Sequence, residues 1–379
     1  MPQSVACSRN AKSTVLNVSR RALLAIMGSL FVLPDLRAQD NADSGSNSDF
    51  EQRIQRIVNG LRPTDSRGGP MRLVDRMNEL HIPGVSIAVI LGGVIHARGF
   101  GDAAIGGPPV TPETLFQAAS ISKPVTAVAA LSLVQAGKLD LDSDVNLSLK
   151  SWKIPANSFT DQSKVTLRRL LNHSAGITVP YFPGYPASAA VPTLRDVLNG
   201  APLWCRALDR FGLSAQEWFA PCPLANTAPV VVAHEPGVRF EYSSGAYAIV
   251  QQLLIDVTDK PFPKLLEEIV LKPFGMNHSS FLQPLPKEEA QTAATPYRAT
   301  GTPVPGGPHI YPTLAAAGLW TTPTDVARFA LGVLNAWMGR DTSVLSQATA
   351  IRMLTPGLGE RGLGLTVRGA SPHRRFLHQ

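Results

Sequence analysis

Proline and glycine recur along the whole chain and limit the length of any helix that it can form. The 379 residues include 31 glycines and 32 prolines, and both residue types interrupt helices. A coiled coil or a long helical bundle is therefore excluded. With 44% hydrophobic and 17% charged residues, the chain can bury a core, which excludes intrinsic disorder. The length fits one large domain or two modest ones.

The chain has a formal charge of +7. The location of the basic residues decides whether this charge indicates nucleic-acid binding. Residues 1–38 contain five basic side chains and one acidic side chain. The remainder of the chain thus carries about +3, which is ordinary for a soluble domain. We expect no nucleic-acid partner.

Residues 1–38 have the pattern of an export signal. Arg20 and Arg21 precede an apolar run that extends through Leu33, and Ala38 offers a small residue for cleavage. The paired arginines also fit a bacterial twin-arginine signal, and a buried N-terminal helix is the alternative. We expect a periplasmic or secreted bacterial protein. No apolar run reaches the roughly 20 residues of a transmembrane helix, so we expect no stable membrane span.

Three cysteines are present, and Cys7 lies within the predicted signal. Cys205 and Cys222 remain in the exported chain, where an oxidising compartment permits a disulfide. Two buried free thiols are an equal alternative, because spacing alone does not establish a bridge.

The segment 39–69 is predicted to be a polar linker, at 39–48, followed by an N-terminal amphipathic helix. The apolar face of this helix consists of Phe50, Ile54, Ile57, Val58 and Leu61. The main domain is predicted over 70–379, and it starts with a second short helix.

Alternating segments in the main domain predict a β-hairpin followed by helices. Val85–Leu91 and Val94–Phe100 are joined by Gly92-Gly93, a pair suited to a tight turn. A helix is predicted from about Ser120 to Ala136. Further helices are predicted at Ala246–Asp256, Pro263–Val270 and Pro323–Trp337, and long loops at 178–193, 219–236 and 284–312. This order favours an α+β domain over a doubly wound sheet.

Ser120 and Lys123 form the only Ser-x-x-Lys sequence in the chain. If a helix starts at Ser120, Lys123 lies one turn later on the same face, close to the hydroxyl. A serine hydroxyl needs a neighbouring base to become a nucleophile, and a helix N-terminus can stabilise an oxyanion. The alternative is a helix-capping serine followed by a solvated lysine.

Tyr242 and His378 are two further candidates. A lysine beside Tyr242 would favour its phenolate, which could serve as general base and later as acid. The alternative is an aromatic anchor in a Ser-Ser-Gly turn. His378 would face substrate if it lay on a strand and preceded a glycine, and a solvated chain end is its alternative.

These motifs together resemble the serine β-lactamase and penicillin-recognising superfamily, in its class C β-lactamase-like branch. The branch includes DD-peptidases, D-aminopeptidases and carboxylesterases. The resemblance covers roughly 70–379 and includes the stretches at 82–86, 116–123, 170–177, 272–276, 317–322 and 362–365. It implies an antiparallel sheet flanked by helices, with a mainly helical region beside it.

The resemblance implies that Ser120 is acylated, that Lys123 is its proton partner and that Tyr242 is the general base. Ser244 and His378 would contact substrate, standing where β-lactamases of this class carry Asn and Lys. A serine hydroxyl is shorter than an amide and offers one donor. Both replacements disfavour efficient β-lactam hydrolysis and favour an esterase or peptidase.

Several other sites are disfavoured. His173 is predicted to shape a turn near the site, because the superfamily does not use it as base. No His-Glu-x-x-His, Gly-x-Ser-x-Gly or phosphate-loop motif occurs, which argues against a zinc enzyme, an α/β-hydrolase and a nucleotide-binding protein. We expect no metal and no cofactor.

The leading hypothesis is an exported serine hydrolase that acts through an acyl-enzyme on a small-molecule or peptide ester or amide. The resemblance also implies that C-terminal strands and a helix are missing, because the glycine after the third motif would be residue 380. A catalytically silent binding or sensor protein, or an inactive fragment, is therefore the alternative.

Overall fold

The structure, a computed structural model, describes residues 46–62, 69–202, 205, 222–369 and 375–378. Helices surround small antiparallel sheets, which confirms the predicted α+β class. The predicted export signal and residues 39–45 of the linker lie outside the described residues. No described helix combines the length and the apolar character that crossing a membrane requires.

The longer helices agree with the sequence prediction to within a few residues. The helices are α1 Ser46–Asn59, α2 Leu73–Glu79, α3 Ser122–Gln135, α4 Ser158–Gln162, α5 Leu167–Leu171, α6 Leu194–Asn199, α7 Ser244–Thr258, α8 Phe262–Leu266, α9 Lys287–Ala290, α10 Leu314–Ala317, α11 Pro323–Trp337 and α12 Gln347–Met353. Short turns of 3₁₀ type occupy Ala119–Ile121 and Val145–Leu147, and a π-type turn continues α8 over Glu267–Leu271.

The strands form three separate two-stranded antiparallel sheets within the described ranges. They are β1 Gly84–Leu91 with β2 Val94–Gly101, β3 Phe116–Gln117 with β4 Trp320–Thr321, and β5 Thr366–Arg368 with β6 Arg375–Leu377. The single sheet that the resemblance implied is thus divided. In the part of the chain that the structure describes, none of the four later strands pairs with the hairpin, and each is only two or three residues long.

The β1–β2 hairpin has the predicted turn. Gly92 and Gly93 have φ values of 58° and 87°, the left-handed conformations that a two-residue hairpin turn requires. Helix α1 packs against this hairpin: Phe50 is buried and its ring stacks on His96 of β2. Helix α1 starts at Ser46, so the last three residues of the predicted linker are helical.

The core is built around α3 and α7. Eleven of the fourteen residues of α3 are buried, as expected for a helix that is surrounded by other elements. Helix α10 packs on both α3 and α7. The apolar faces of α5, α8, α11 and α12 contribute to the same core.

Cys205 and Cys222 form a disulfide, which decides between the two alternatives left open by their spacing. Their Cα atoms are 5.7 Å apart, within the usual range for a bridge. The bond closes the segment after α6.

Candidate active site

Ser120 lies in the 3₁₀ turn directly before α3 and is half-buried. The turn runs on into the helix, so Lys123 is one turn later on the same side. Its Nζ atom is 3.1 Å from Ser120 Oγ. The contact that the Ser-x-x-Lys spacing predicts is therefore present. Pro124 lies in the first helical turn, where a missing N–H is tolerated.

Lys123 is fully buried in the core. Its Nζ donates to the carbonyl oxygen of Ala316, at 2.8 Å, and lies 5.0 and 5.8 Å from the ring centres of Tyr242 and Tyr247. No ion pair to a carboxylate is found for it among the described residues. Burial lowers the pKa of Lys123 to about 7, so neutral amine is abundant near neutral pH.

Tyr242 precedes α7 and brings its phenol to the nucleophile. Its hydroxyl donates to Ser120 Oγ at 2.8 Å. The adjacent Ser243 caps the helix by accepting from the Ala246 N–H at 3.0 Å, and its own hydroxyl donates to the Thr178 carbonyl at 2.8 Å. The capping hydrogen bonds therefore hold the chain on the C-terminal side of Tyr242.

The ionisation of Tyr242 differs from the sequence-based expectation. Burial raises the pKa of the phenol, and hydrogen bonds with Ser120 and Ser244 and the charge of Arg361 oppose that rise only in part. A neighbouring cation was expected to favour the phenolate, but burial outweighs it. The resting phenol is therefore protonated and serves as a donor.

Ser244 and His378 both lie next to residues of the cluster. Ser244 is the buried first residue of α7, and its side chain hydrogen-bonds Tyr242. His378 follows β6 and lies near the backbone of Ser120 and Gly364. Its Nε2 atom is buried and has no hydrogen-bond partner among the described residues. Burial and the Lys123 charge lower the pKa of His378 to about 3.

The five candidate residues are thus brought together around one hydroxyl. Among the described residues, no group of three or more His, Cys, Asp or Glu side chains could hold a metal ion.

His173 lies in a turn beside the site, as predicted, with φ at 60°. It is buried, and its ring stacks on that of Tyr242 with centres 4.5 Å apart.

Sequence reasoning missed two residues of this site. Tyr247 is fully buried beside Lys123, and its hydroxyl donates to the Leu171 carbonyl at 3.0 Å. Arg361 places its guanidinium 3.9 Å from the ring centre of Phe240. The available signals were the helical spacing of Tyr247 from Ser244, and the position of Arg361 directly before the Gly-Leu-Gly-Leu stretch.

Left-handed backbone is concentrated at the site. Five non-glycine residues have positive φ in the described part of the chain, and three of them are Ala119, His173 and Val179. Ala119 precedes the nucleophile with φ at 44°. Val179, at 65°, accepts at its carbonyl from the Gly245 N–H of α7. Such strain persists where the surrounding structure over-determines it, and it clusters at functional sites.

Two bacterial proteins illustrate the similarity in sequence. The chain is 28% identical over 270 residues to the Mycobacterium tuberculosis protein Rv1367c, a match that covers 66% of this chain and 62% of that protein. It is 27% identical over 261 residues to the protein Flp of Staphylococcus aureus strain N315, covering 68% and 45%. The chain thus spans less than two thirds of the length of these relatives.

Two solved structures share the fold. The octameric penicillin-binding protein homologue from Pyrococcus abyssi superposes with a TM-score of 0.59 at 25% identity, covering 80% of this chain and 65% of that one. The D-alanine carboxypeptidase AmpC from Burkholderia cenocepacia has a TM-score of 0.56 at 21% identity, covering 84% and 74%. The second similarity shows the fold alone.

A family model extends the match to most of the chain. The model described as beta-lactamase matches residues 71–374, which include the nucleophile turn, both central helices and the Tyr242 segment. Together with the shared fold, this match shows that the chain belongs to the beta-lactamase family.

Proposed function

We propose that this protein is a serine hydrolase in which Ser120 forms an acyl-enzyme with an ester or amide substrate. The observation that carries the proposal is the convergence of two proton-handling groups on Ser120 Oγ. Lys123 Nζ lies 3.1 Å away and the Tyr242 hydroxyl 2.8 Å away. A serine needs such neighbours to lose its proton as it attacks.

The directions of the two pKa shifts assign the roles. Neutral Lys123 accepts the Ser120 proton while Oγ bonds to the carbonyl carbon. The Tyr242 phenol gives its proton to the leaving group as the C–O or C–N bond breaks, and Lys123 returns a proton to the phenolate. Water then hydrolyses the ester of Ser120. The path assigns the role of base to Lys123, and the raised pKa of the buried Tyr242 phenol supports this choice over the phenolate base that the resemblance implied.

The substrate is proposed to be a small-molecule or peptide ester or amide, with β-lactams as poor substrates. Ser244 supports this choice, because its buried hydroxyl hydrogen-bonds Tyr242 and is short for an amide-binding group. His378 supports it too, because its low pKa keeps it neutral where a lysine would carry charge.

A fluorophosphonate probe tests the nucleophile. Intact-mass measurement should show one adduct on the wild type and none on Ser120→Ala. Ser132→Ala is the matched control, since Ser132 lies on the same helix and its hydroxyl faces the Val344 carbonyl at 3.4 Å. Equal labelling of wild type and Ser120→Ala would reject the proposal. Labelling without turnover of any substrate would favour the silent binding protein.

The substrate class is tested by a side-by-side assay. Short-chain p-nitrophenyl esters, D-amino-acid amides and a chromogenic cephalosporin are compared by kcat/KM on the full chain. We expect the cephalosporin to rank last. A cephalosporin rate above the ester and amide rates would reject the preference.

We also propose that the protein is exported through residues 1–38. The Cys205–Cys222 disulfide supports export, because such bonds persist in oxidising compartments. Fusion of residues 1–45 to a reporter enzyme that folds without disulfide bonds and acts only outside the cytoplasm should give activity in intact cells. Replacing Arg20 and Arg21 with lysine should abolish it if the twin-arginine pathway is used. An inactive wild-type fusion would contradict export.

A further inference from the structure

His173 makes contacts with three consecutive residues around the proposed proton donor. Its main-chain carbonyl accepts from the Glu241 N–H at 2.8 Å, and its Nδ1 accepts from the Ser243 N–H at 3.2 Å. Between these two anchors, its ring stacks on that of Tyr242 with an interplanar angle of 29°. His173 therefore contacts the residue on each side of Tyr242 as well as the Tyr242 ring.

The stacked ring is itself held from several sides. The ring centre of His173 lies 5.3 Å from that of Tyr247 and 6.0 Å from that of Phe240, which meets it edge-on. His173 is 6% exposed. A close-packed ring of this kind has few alternative positions, so it presents a fixed surface to Tyr242.

The imidazole is neutral in this position. Burial, together with the charges of Lys123 and Arg361, holds the pKa of His173 well below its usual range. Nδ1 therefore keeps the lone pair that accepts from Ser243, and the proton resides on Nε2. Two tyrosines also face the ring. The pKa values of Tyr242 and Tyr247 are raised, so both phenols are neutral as well.

We propose that His173 is a positioning residue whose stacked ring sets the Tyr242 hydroxyl at its 2.8 Å distance from Ser120 Oγ, while the two backbone anchors stabilise the segment that carries Tyr242. It does not touch the reacting atoms and acts only through Tyr242. The role rests on the proposed function of Tyr242 as proton donor. It goes beyond the turn-shaping role predicted for His173, because the side chain and not only the backbone is required.

Two variants separate the ring from the anchor. His173→Asn keeps a side-chain acceptor and tolerates the left-handed backbone, since Asn is enriched there, but it removes the ring. We expect kcat for a D-amino-acid amide, whose leaving amine needs the Tyr242 proton, to fall roughly 100-fold, the scale of a small misplacement, with KM within about twofold. His173→Phe keeps the ring and loses the acceptor. It should lose thermal stability while keeping kcat within about threefold.

His81→Asn is the matched control. His81 also has a left-handed backbone, with φ at 54°, and its Nδ1 contacts the Ala299 carbonyl on the surface. Its turnover should equal that of the wild type. Equal turnover of His173→Asn and His81→Asn would overturn the proposal.

A double-mutant cycle with Tyr242→Phe tests the route of action. If His173 acts through the phenol, adding His173→Asn to Tyr242→Phe should cost no further turnover. Additive losses would contradict the proposal. A crystal structure of His173→Asn should show a lengthened distance from the Tyr242 hydroxyl to Ser120 Oγ. This distance tests the positioning role of His173 independently of the fluorophosphonate labelling, which tests the proposed function. An unchanged distance of 2.8 Å would overturn the positioning role.

Discussion

The cluster of Ser120, Lys123 and Tyr242 and the segment that carries His378 belong to one site but are held differently. In the cluster, the polar ends are hydrogen-bonded to each other, and Lys123 is also tied to the Ala316 carbonyl. His378 follows a three-residue strand, and its buried Nε2 lacks a partner among the described residues. Buried polar atoms are normally satisfied, so an unsatisfied one is available to a ligand.

From this difference we expect the cluster to carry out the proton transfers and His378 to bind substrate. Changes in the cluster should reduce turnover with any substrate, because the internal proton path is broken. Changes at His378 should alter substrate affinity and leave proton transfer intact. The following tests measure that contrast, and each compares the two regions under one assay.

Lys123→Met should have the largest effect. The amine that accepts the Ser120 proton is removed, and general acid–base groups contribute about 10²- to 10⁴-fold, so we expect kcat/KM to fall roughly 10³-fold or more. Methionine fills a similar volume without a polar group, so the free energy of unfolding should stay equal or rise. Ester hydrolysis and urea denaturation check both values. Turnover retained within tenfold would contradict the role of Lys123.

Tyr242→Phe should have the next largest effect, roughly a 100-fold loss of kcat. The phenyl ring can keep its stacking on His173, so stability should change little. Because the phenol serves the leaving group, the loss should be greater for amides than for p-nitrophenyl esters, whose leaving group needs no proton. Equal losses for the two substrate types would contradict this assignment.

The pH profile should separate the two regions by their ionisations. The pKa of Lys123 is lowered from 10.5 to about 7, and the neutral amine is the reactive form. The value of kcat/KM should therefore be constant above pH 7 and fall about tenfold for each unit below it. His378, with its pKa at about 3, stays neutral throughout this range. The fall of kcat/KM below pH 7 should thus persist in His378→Asn. If the fall were absent in that variant, the ionisation near pH 7 would belong to His378 and not to Lys123.

His378→Asn should have the smallest effect on turnover. One hydrogen bond to substrate contributes about 1 kcal/mol, so KM should rise roughly fivefold while kcat stays within about twofold. The ratio of ester to amide kcat/KM should change more than either kcat. A kcat loss comparable to that of Tyr242→Phe would remove the distinction between the two regions.

The sequence predicted the local half of this site. The contact of Ser120 with Lys123 follows from helical spacing, and the helix predicted from about Ser120 to Ala136 agrees with α3 to within two residues. The hairpin followed from alternation and from Gly92-Gly93. These features depend on neighbours in the chain, for which sequence patterns suffice.

The non-local half could be predicted only through resemblance. No periodicity brings Tyr242 to Ser120, because that contact depends on how α7 packs against α3. Arg361 was missed because its one signal, the position directly before the Gly-Leu-Gly-Leu stretch, does not show that the side chain packs on Phe240. The direction of the Tyr242 shift was missed because burial, which raises its pKa, is a property of the packed core. The division of the sheet into three pairs depends likewise on packing.

The left-handed Ala119 has a consequence for engineering this protein. For a residue with a Cβ, the left-handed conformation costs about 1–2 kcal/mol of conformational free energy, and glycine avoids this cost. Selection for heat resistance would therefore favour Ala119→Gly, while the looser turn would let Ser120 drift from Lys123 and Tyr242. A library sorted by melting temperature and one sorted by turnover should consequently diverge at position 119, directly before the nucleophile.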